Sequence, residues 1–513
     1  MNIARTLLDG TAGKDDVLLT YQDKEYTFSE LDKGICDTIE AIKQLAPDSE
    51  RVAVLIQTSP EIIQALYGVW TLGKVTVVLS PLLAQAELKI LLKSNQPDLI
   101  LVNNETESKL ESFKAELVAP IYNVDSHDIR AEEGVSAVDL VVERQKDDTA
   151  IILFTSGSTG IPKGVTLTHH SIYGSIDGVL KRIRGDRPRR PKTPGIKRRV
   201  TILPKPTFHI SGLFNVLFTF EIGRSINLMR KFDVDLFTKA VEETQTDSIS
   251  VNPTMMKMIL DNREIALPRL KTVKYVRSGT MPLPDKIRDE FEEVFGILTL
   301  QGYGQTEAAG EVIGWSASDL EFANDKRSSI GRAHPNIELA IKDPEGNKLQ
   351  LGESGELCVR GEHLMKGYSD PSQVTPFDEE GFLHTGDLGY IDEEGFVFLT
   401  GRLKNMIIVG GFNIYPEEVE NILLKCPAVK EIGITPLPDD RLGEIPVAIV
   451  VKEPNQVFDQ EEFIQFSRAH LASYKVPRRI FLTEELPKTG YHKIDRPKLR
   501  EIAEKIAMEE VPK

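Results

Sequence analysis

A loop rich in glycine and hydroxyl side chains is the first candidate for chemistry in this sequence. The stretch TSGSTGIPKG follows the apolar run AIILF, which predicts a strand over residues 150–154, and Thr168 has the side chain of a helix N-cap. Backbone N–H groups, hydroxyls and a lysine after a strand are typical of anion binding, so we expect a strand-to-helix loop that holds phosphate. It is not a Walker A loop, because Pro162 precedes Lys163 where that pattern has glycine.

Three further groups of residues suit other parts of a nucleotide. In YGQTE, Thr306 and Glu307 place a hydroxyl beside a carboxylate, which suits a hydrated Mg²⁺ on a nucleoside triphosphate. Asp387 in HTGD could accept two ribose hydroxyls, although an Asx-turn residue is about as common in such a loop. Arg402 in TGRLKN could equally be a plain surface arginine. Taken singly, each of these signals is weak.

The composition limits the class of protein. A chain of 513 residues with 41% apolar side chains has room for several domains, and its net charge of −16 argues against a general nucleic-acid binder. Cys36, Cys358 and Cys426 show no disulfide or metal-ligand spacing, which favours a reducing compartment. The N-terminal MNIARTLLDG has no apolar stretch long enough to predict a signal peptide, and the sequence contains no run of 18 apolar residues. We therefore expect a cytoplasmic protein without a transmembrane segment, with peripheral membrane contact left open and the oligomeric state unknown.

The elements that must position these groups follow an α/β pattern. Apolar runs such as RVAVLIQ, VTVVLSP and LILVN alternate with amphipathic helical stretches, which predicts a doubly wound parallel sheet. The alternation returns in VTILP, SINLM, SISVN and VKYVRSG, which indicates a second α/β unit. Residues 328–400 consist of short β-like pieces between glycine-rich turns and predict a small barrel or sandwich. A compact α+β tail of roughly a hundred residues follows GRLKN, and Leu499, Ile502, Ala503 and Ile506 predict one apolar helix face near its end.

Five motifs in order carry a resemblance to a known family. TSGSTGIPKG, YGQTE, HTGD, GRLKNMIIVGGFNIYPEEVE and PKTGYHKID resemble the signature motifs of the adenylate-forming superfamily, and of acyl-CoA synthetases in particular. The likeness extends from Tyr26 to Leu499. It implies a large N-terminal adenylation domain, residues 1–403, made of two doubly wound α/β subdomains and a small β-barrel. A small mobile α+β domain, residues 404–513, would follow a hinge at Lys404.

The resemblance also assigns roles to single residues. Glu307 would bind Mg²⁺ with Thr306 beside the α-phosphate of ATP, Asp387 and Arg402 would take the ribose, and Lys493 would be the catalytic lysine. The loop around the β and γ phosphates would consist of Thr155, Ser156, Gly157, Ser158, Thr159, Gly160 and Lys163. The adenine slot would be shaped by Gly279, Thr280, Met281, Gly302 and Tyr303.

The same resemblance implies a reaction in two steps. A carboxylate is a poor nucleophile toward another anion, so the first step needs positive charge from Lys493 and a metal around the α-phosphate. A thiol then attacks the acyl-adenylate after the C-terminal domain has rotated about Lys404. Gly410 and Gly411 would then line a tunnel for the pantetheine of coenzyme A, because a thin ligand can pass close to residues without side chains.

Two segments depart from the family pattern. Gly490, Tyr491 and His492 precede Lys493 where the family commonly has Pro-Thr-Gly, so the lysine is presented from an altered turn or the first step is impaired. The second is a basic segment, residues 181–199, with ten Lys or Arg and one Asp. It is either a solvated loop or a surface for the phosphates of coenzyme A, an acidic carrier protein or an anionic membrane.

The acid to be activated is narrowed by one more segment. PTFHISGLFNVLF lacks the aspartate that holds the α-amino group in peptide-synthetase domains, and Phe208 and His209 resemble the acyl-pocket wall of fatty and aryl acyl-CoA synthetases. Gly304 is assigned to the same acyl site. We therefore expect a fatty or aryl acid and coenzyme A as substrates. Three alternatives stay open: an acyl-AMP ligase that loads a carrier protein, a luciferase-type oxidation, and a non-catalytic nucleotide-binding relative.

Overall fold

The computed structural model describes residues 1–155, 162–185, 195, 198–409, 412–439, 441–454, 456–489 and 493–509. Ser156, Gly157, Ser158, Thr159 and Gly160 of the predicted phosphate loop lie outside the described residues. So do Gly410 and Gly411, the Tyr491–His492 pair, and most of the basic segment.

Short strands and helices alternate along the described chain. The strands are β1 Val17–Tyr21, β2 Lys24–Thr27, β3 Arg51–Leu55, β4 Val75–Val78, β5 Leu99–Val102, β6 Ile121–Asn123, β7 Thr149–Thr155, β8 Lys163–Thr168, β9 Val200–Leu203, β10 Ser225–Leu228, β11 Ser248–Ser250, β12 Tyr275–Ser278, β13 Leu298–Gln301, β14 Tyr303–Gln305, β15 Gly310–Gly314, β16 Arg332–Ala333, β17 Glu338–Lys342, β18 Gly355–Arg360, β19 Gly367–Tyr368, β20 Leu383–Ile391, β21 Val397–Arg402, β22 Ile407–Val409, β23 Phe412–Ile414, β24 Val429–Asp439, β25 Gly443–Lys452 and β26 Arg479–Leu482. The helices are α1 Phe28–Leu45, α2 Pro60–Thr71, α3 Gln85–Asn95, α4 His169–Arg184, α5 Ile210–Glu221, α6 Val234–Thr244, α7 Pro253–Asp261, α8 Arg263–Arg269, α9 Asp285–Phe295, α10 Pro416–Leu423, α11 Gln460–His470 and α12 Arg496–Glu509.

The first α/β unit is a seven-stranded sheet in the order β19-β8-β7-β4-β3-β5-β6. Strands β3 to β7 pair in parallel, whereas β8 and β19 pair antiparallel at one edge. Helix crossovers bury both faces of such a sheet, which explains why its strands are continuous apolar runs. Trp70 and Tyr67 on α2 are fully buried in the core beside it. The predicted doubly wound unit is confirmed.

The second α/β unit consists of two sheets whose strands pair in parallel, apart from the antiparallel hairpin β1–β2. One sheet has the order β2-β1-β10-β9, and the next has the order β11-β12-β13. The N-terminal hairpin β1–β2 belongs here, because Leu19 pairs with Ile226 in parallel. The sequence analysis did not assign this hairpin to a sheet, since a pairing across some two hundred residues leaves no local signal.

The β-rich region that follows is antiparallel throughout. Strands β14, β15 and β16 form a three-stranded sheet, and β17, β18, β20 and β21 form a four-stranded one. The motif HTGD lies near the start of β20 and TGR at the end of β21, and the antiparallel register sets Asp387 opposite Arg402. This sheet therefore brings two predicted site residues together.

The C-terminal unit is an α+β fold with its own core. Strands β23, β22, β25 and β24 follow in that order, and β26 pairs with β25 in parallel. Leu499 and Ala503 on α12 are fully buried against this sheet, with Ile502 and Ile506 packed beside them. The helix face predicted from the sequence is confirmed.

The C-terminal unit rests on the first turn of α9. Lys425 Nζ lies 3.1 Å from Asp285 Oδ2, and Lys286 Nζ donates a 2.9 Å hydrogen bond to the carbonyl of Val429. The backbone N–H of Asp285 donates to Asn421 Oδ1 at 2.9 Å. None of the helices described here is long and apolar enough to cross a membrane.

Candidate active site

One cleft holds most of the residues that the sequence analysis singled out. It lies between the N-terminal sheets and the C-terminal unit, and its walls come from the carboxyl ends of β11, β12 and β13, from β14 and β15, and from the start of the C-terminal unit. Ligands in open α/β sheets bind at such carboxyl ends. The predicted site residues that line the cleft are Thr155, Lys163, Phe208, His209, Gly279, Thr280, Met281, Gly302, Tyr303, Gly304, Thr306, Glu307, Asp387, Arg402, Lys404 and Lys493.

The phosphate-loop segment joins two strands instead of a strand and a helix. Thr155 ends β7 and Lys163 begins β8, and the two residues face each other in an antiparallel pair. The strand-to-helix expectation was wrong because KGVTLT, with two threonines and a valine, forms a strand before the helix starts. Thr168 then caps α4, its Oγ1 accepting from the N–H of Ser171 at 2.9 Å, so the predicted cap is confirmed.

Lys163 and Glu307 meet around a tyrosine that the sequence analysis did not identify. Lys163 Nζ lies 4.8 Å from the ring centre of Tyr368 on β19, the strand that pairs with β8. Burial, together with the charge of Glu307 and a hydrogen bond to it, raises the pKa of Tyr368 to about 12. A lone tyrosine in EHLMKGYSD carries no sequence signal for this role.

Glu307 is a half-buried carboxylate beside Thr155. It lies in a 3-10 turn, Thr306–Ala308, and Thr155 Oγ1 donates to its Oε1 at 3.5 Å. Burial raises the pKa of Glu307, and the charges of Arg402 and Lys163 offset this only in part. Among the described lysines and arginines, none comes within 4.0 Å of this carboxylate. The carboxylate and hydroxyl oxygens of Glu307, Thr306 and Thr155 are the donor type that Mg²⁺ prefers.

Asp387 is the centre of a hydrogen-bond network. It is 4% exposed and accepts from Tyr303 Oη at 2.6 Å and from Gln305 Nε2 at 2.8 Å. Arg402 Nε donates to its Oδ1 at 2.5 Å. Burial and the charge of Asp387 raise the pKa of Tyr303 well above its ordinary value. Gln305 lies inside the YGQTE motif, yet only the coordinates reveal that it bridges Tyr303 and Asp387.

Small residues form the wall above this network. A Cβ on Gly304 would stand 1.9 Å from the carbonyl oxygen of Gly310, so no side chain fits at this position, where β14 pairs with β15. A Cβ on Gly302 would stand 2.8 Å from Glu311 Oε2. Thr280 has φ of 73°, a left-handed conformation that is uncommon for threonine and typical of functional loops.

Phe208 and His209 form the opposite wall at the start of α5. Phe208 is 5% exposed, and the two rings meet edge to face with centroids 4.8 Å apart. Burial and the charge of Lys493 lower the pKa of His209 to about 4, so its imidazole is neutral at pH 7. Phe214 and Phe218 extend the wall as a stacked pair at 5.8 Å. The resulting pocket wall is aromatic.

Both predicted C-terminal lysines reach the same cleft. The carbonyl of Lys493 accepts a hydrogen bond from the N–H of Thr489 at 2.8 Å. Its side chain keeps access to the solvent of the cleft, yet the protein around it and the charge of Arg402 lower its pKa to about 8. Lys404 lies in a 3-10 turn, Leu403–Asn405, and burial with Arg402 lowers its pKa too.

Three charged residues in the acyl part of the cleft were not identified from the sequence. Lys205, Arg277 and Glu311 line the cleft near the aromatic wall. Each occurs as a single charged residue within an apolar or polar segment, so neither spacing nor motif distinguishes it from a surface charge. Their arrangement is taken up below.

Comparisons with known proteins agree with this geometry. The AMP-binding enzyme family matches residues 9–369, and the AMP-binding enzyme C-terminal domain matches residues 418–493. 4-Coumarate–CoA ligase 2 of Nicotiana tabacum is 31% identical over 507 residues, or 95% of this chain and 90% of its own length. 2-Succinylbenzoate–CoA ligase of Bacillus pumilus is 31% identical over 94% of each chain.

The solved structures lead to the same family. The o-succinylbenzoate CoA synthetase of Bacillus subtilis, solved with its acyl-adenylate intermediate, superposes with a TM-score of 0.83 at 28% identity and 97% coverage of both chains. The same synthetase has also been solved with ATP and a magnesium ion. This chain therefore belongs to the AMP-binding enzyme family, as its motifs predicted, and it is an AMP-forming acid–thiol ligase of the adenylate-forming superfamily.

Proposed function

We propose that this ligase activates an aryl carboxylic acid as acyl-AMP and transfers the acyl group to coenzyme A. The observation that carries the proposal is the cleft itself, where Lys493 of the C-terminal unit meets Asp387 and Arg402 beside the aromatic wall. The aromatic lining and the aryl acids named for the relatives favour an aryl acid over a fatty acid.

The first step joins the acid to the α-phosphate of ATP. A carboxylate oxygen forms a bond to phosphorus, and the bond between the α-phosphorus and the bridging oxygen breaks to release pyrophosphate. Lys493 would supply positive charge where the two anions approach, because electrostatic stabilisation at the reacting atoms is the main requirement of this step. Thr155 at the end of β7 and Lys163 at the start of β8 would bind the departing pyrophosphate.

A divalent cation fits beside Glu307. The half-buried carboxylate has no lysine or arginine within 4.0 Å among the described residues, and the hydroxyls of Thr155 and Thr306 complete an oxygen donor set. Glu307, Thr306 and Thr155 would hold Mg²⁺ together with ATP oxygens. Bound there, the ion supplies positive charge to the phosphates.

The nucleoside and the acid would bind along the remaining walls of the cleft. Asp387 and Arg402 would bind the ribose. Tyr303 and Gln305 donate hydrogen bonds that hold the carboxylate of Asp387 in place. The adenine would lie along Gly279, Thr280, Met281 and Gly302. Gly304 and His209 would border the reacting carboxylate of the acid. Because the His209 ring is neutral, it does not repel the positive charge of Lys493.

The second step requires a different arrangement of the C-terminal unit. The thiol sulfur attacks the acyl carbon, and the bond from that carbon to the phosphate oxygen breaks to release AMP. We propose that residues 404–513 rotate about Lys404 and remove Lys493 from the path of the thiol. Gly410 and Gly411 are proposed to border coenzyme A after that rotation.

The test is product analysis with aryl and fatty acids, ATP, Mg²⁺ and either coenzyme A or a carrier protein. We expect AMP and an aryl-CoA thioester in equal amounts. Loading of the carrier protein with no reaction of coenzyme A would contradict the proposed acceptor. Turnover of fatty acids alone would contradict the proposed acid.

A further inference from the structure

A buried lysine stands in the acyl part of the cleft without a carboxylate partner. Lys205, between β9 and α5, is 7% exposed, and its Nζ donates a 2.8 Å hydrogen bond to Ser250 Oγ. Burial lowers the pKa of Lys205 to about 8, with only the charge of Glu311 acting against this. Among the described residues, no carboxylate oxygen lies within 4.0 Å of the ammonium group.

The lysine is fixed by the packing of its loop. Gly212 on the first turn of α5 is so close to this loop that a Cβ there would stand 2.0 Å from the carbonyl oxygen of Pro206 and 3.0 Å from that of Lys205. This packing fixes the backbone of the loop against α5, and the hydrogen bond to Ser250 Oγ holds the lysine side chain inside the cleft. Lys205 is therefore a built-in feature of the pocket.

A second cation shares the face of the neighbouring sheet. Arg277 on β12 is in register with Ser250 on β11, and paired residues of parallel strands point to the same side of a sheet. Arg277 lines the cleft, and no ion pair joins it to any carboxylate in the described part of the chain. Ser250, which accepts the hydrogen bond of Lys205, is therefore the cross-strand neighbour of Arg277.

Glu311 neutralises only part of this charge. Its Oε1 lies 3.1 Å from His334 Nε2, and its other oxygen faces the backbone of Gly302. Burial would raise the pKa of Glu311, but His334 and then Arg277 and Lys205 lower it, so the group stays ionised. Two cations then face one carboxylate.

These charges are separate from the nucleotide part of the cleft. Burial raises the pKa of Glu307, and the positive charges of Arg402 and Lys163 act against this. Against the same effect of burial, the pKa of Glu311 is lowered by a different set, His334, Arg277 and Lys205. Lys205 stands three residues before Phe208, and a Cβ on Gly310, the neighbour of Glu311, would stand 2.9 Å from Phe214 Cδ2 of the aromatic wall, where the acid is proposed to bind. A buried cation without a counter-charge is costly, and a ligand anion removes that cost.

We propose that the acid carries a second carboxylate, besides the one that is adenylated, and that Lys205 binds it with Arg277 beside it. This inference rests on the proposed function and adds a second charged group to the proposed substrate. Lys205 and Arg277 then determine specificity, since a monocarboxylic acid of the same shape leaves the charge that Glu311 does not neutralise without a partner.

The test is the rate of acid-dependent pyrophosphate exchange into ATP with three matched aryl acids. They carry at the distal position a carboxylate, its methyl ester, or a hydroxyl. For the wild-type protein we expect kcat/KM for the diacid to exceed that for the ester by about 10- to 100-fold, the range of a charge-assisted hydrogen bond. Lys205→Met should abolish this preference through a higher KM for the diacid while the KM for ATP stays unchanged. The control is Lys274→Met, an exposed lysine just before β12.

Each other outcome is informative. Equal wild-type rates with diacid and ester would overturn the inference without any variant, even if Lys205→Met failed to fold. A preference for the hydroxyl acid would also overturn it and would assign Lys205 and Glu311 to a neutral group. Exchange with none of the aryl acids, mono- or dicarboxylic, would instead contradict the proposed function.

Discussion

Lys493 combines two properties that a residue in its position needs. Its side chain faces Asp387 and Arg402 across the cleft, and the surrounding protein lowers its pKa to about 8. A lysine is protonated below its pKa, so the charge that we assign to adenylation is present at pH 7 and is lost as the pH rises through about 8.

The pH dependence of adenylation follows from this shift. Pyrophosphate exchange should fall as the pH rises through about 8, because Lys493 loses its proton. Lys493→Arg should move the fall to higher pH, since a guanidinium stays charged. A profile that is level across this range in the wild-type protein would argue against Lys493 as the source of the charge.

Removal of the lysine should affect only one half-reaction. We expect Lys493→Ala to slow adenylate formation by about 10² to 10³-fold, the cost of losing one preorganised electrostatic contact. Thioester formation from supplied acyl-AMP should stay nearly unchanged. The control is Lys498→Ala, whose side chain is 65% exposed. Equal losses in both half-reactions would reject the assigned role.

Motif residues were easier to predict than the residues that support them. Glu307, Asp387 and Arg402 stand in recognisable motifs, and the structure brings all three to one cleft. Lys205 and Arg277 could not be found, because a single charged residue looks the same in a sequence whether it is buried or exposed. Their burial depends on strands that are far apart in the chain.

At the scale of elements, local pattern predicted most helices and strands, whereas pairing partners needed the structure. The helix face of α12 and the Thr168 cap depend on neighbouring residues and were predicted correctly. The segment after β7 was wrongly expected to lead directly into a helix. The strand that follows it, β8, has only six residues, which is too short for its alternation of apolar and polar side chains to be recognised in the sequence.

The 3-10 turn Leu403–Asn405 is where we place the hinge. Lys404→Pro should restrict the backbone of this turn and slow the thioester step far more than adenylation. The measurement is single-turnover thioester formation from supplied acyl-AMP, compared with pyrophosphate exchange. Loss of exchange with thioester formation intact would contradict the rotation.

A buried ion pair connects α12 to α10 just after Lys493. Arg496 donates to Glu420 at 2.5 and 2.7 Å and to the carbonyl of Ile434 at 2.9 Å. Arg496→Leu leaves Glu420 buried without its partner and should destabilise the C-terminal unit by about 3 kcal/mol. Chemical denaturation checks this, with Arg500→Leu, a 46% exposed arginine on the same helix, as the control. Equal midpoints for both variants would contradict a stabilising role.

At the scale of the whole molecule, the cleft is complete only when the two units are together. The N-terminal sheets supply Glu307, Asp387 and the aromatic wall, and the C-terminal unit supplies Lys493. The contacts of α9 with Lys425 and Asn421 hold this arrangement. It is the arrangement that the proposed role of Lys493 in adenylation requires, because the lysine faces Asp387 and Arg402.

The measurement that tests this account most directly is acid-dependent exchange of labelled pyrophosphate into ATP, with Mg²⁺ and without any thiol. The account predicts exchange with aryl acids, strongest with those that carry a second carboxylate, and loss of that exchange in Lys493→Ala. Binding of ATP without exchange for any aryl acid would contradict it.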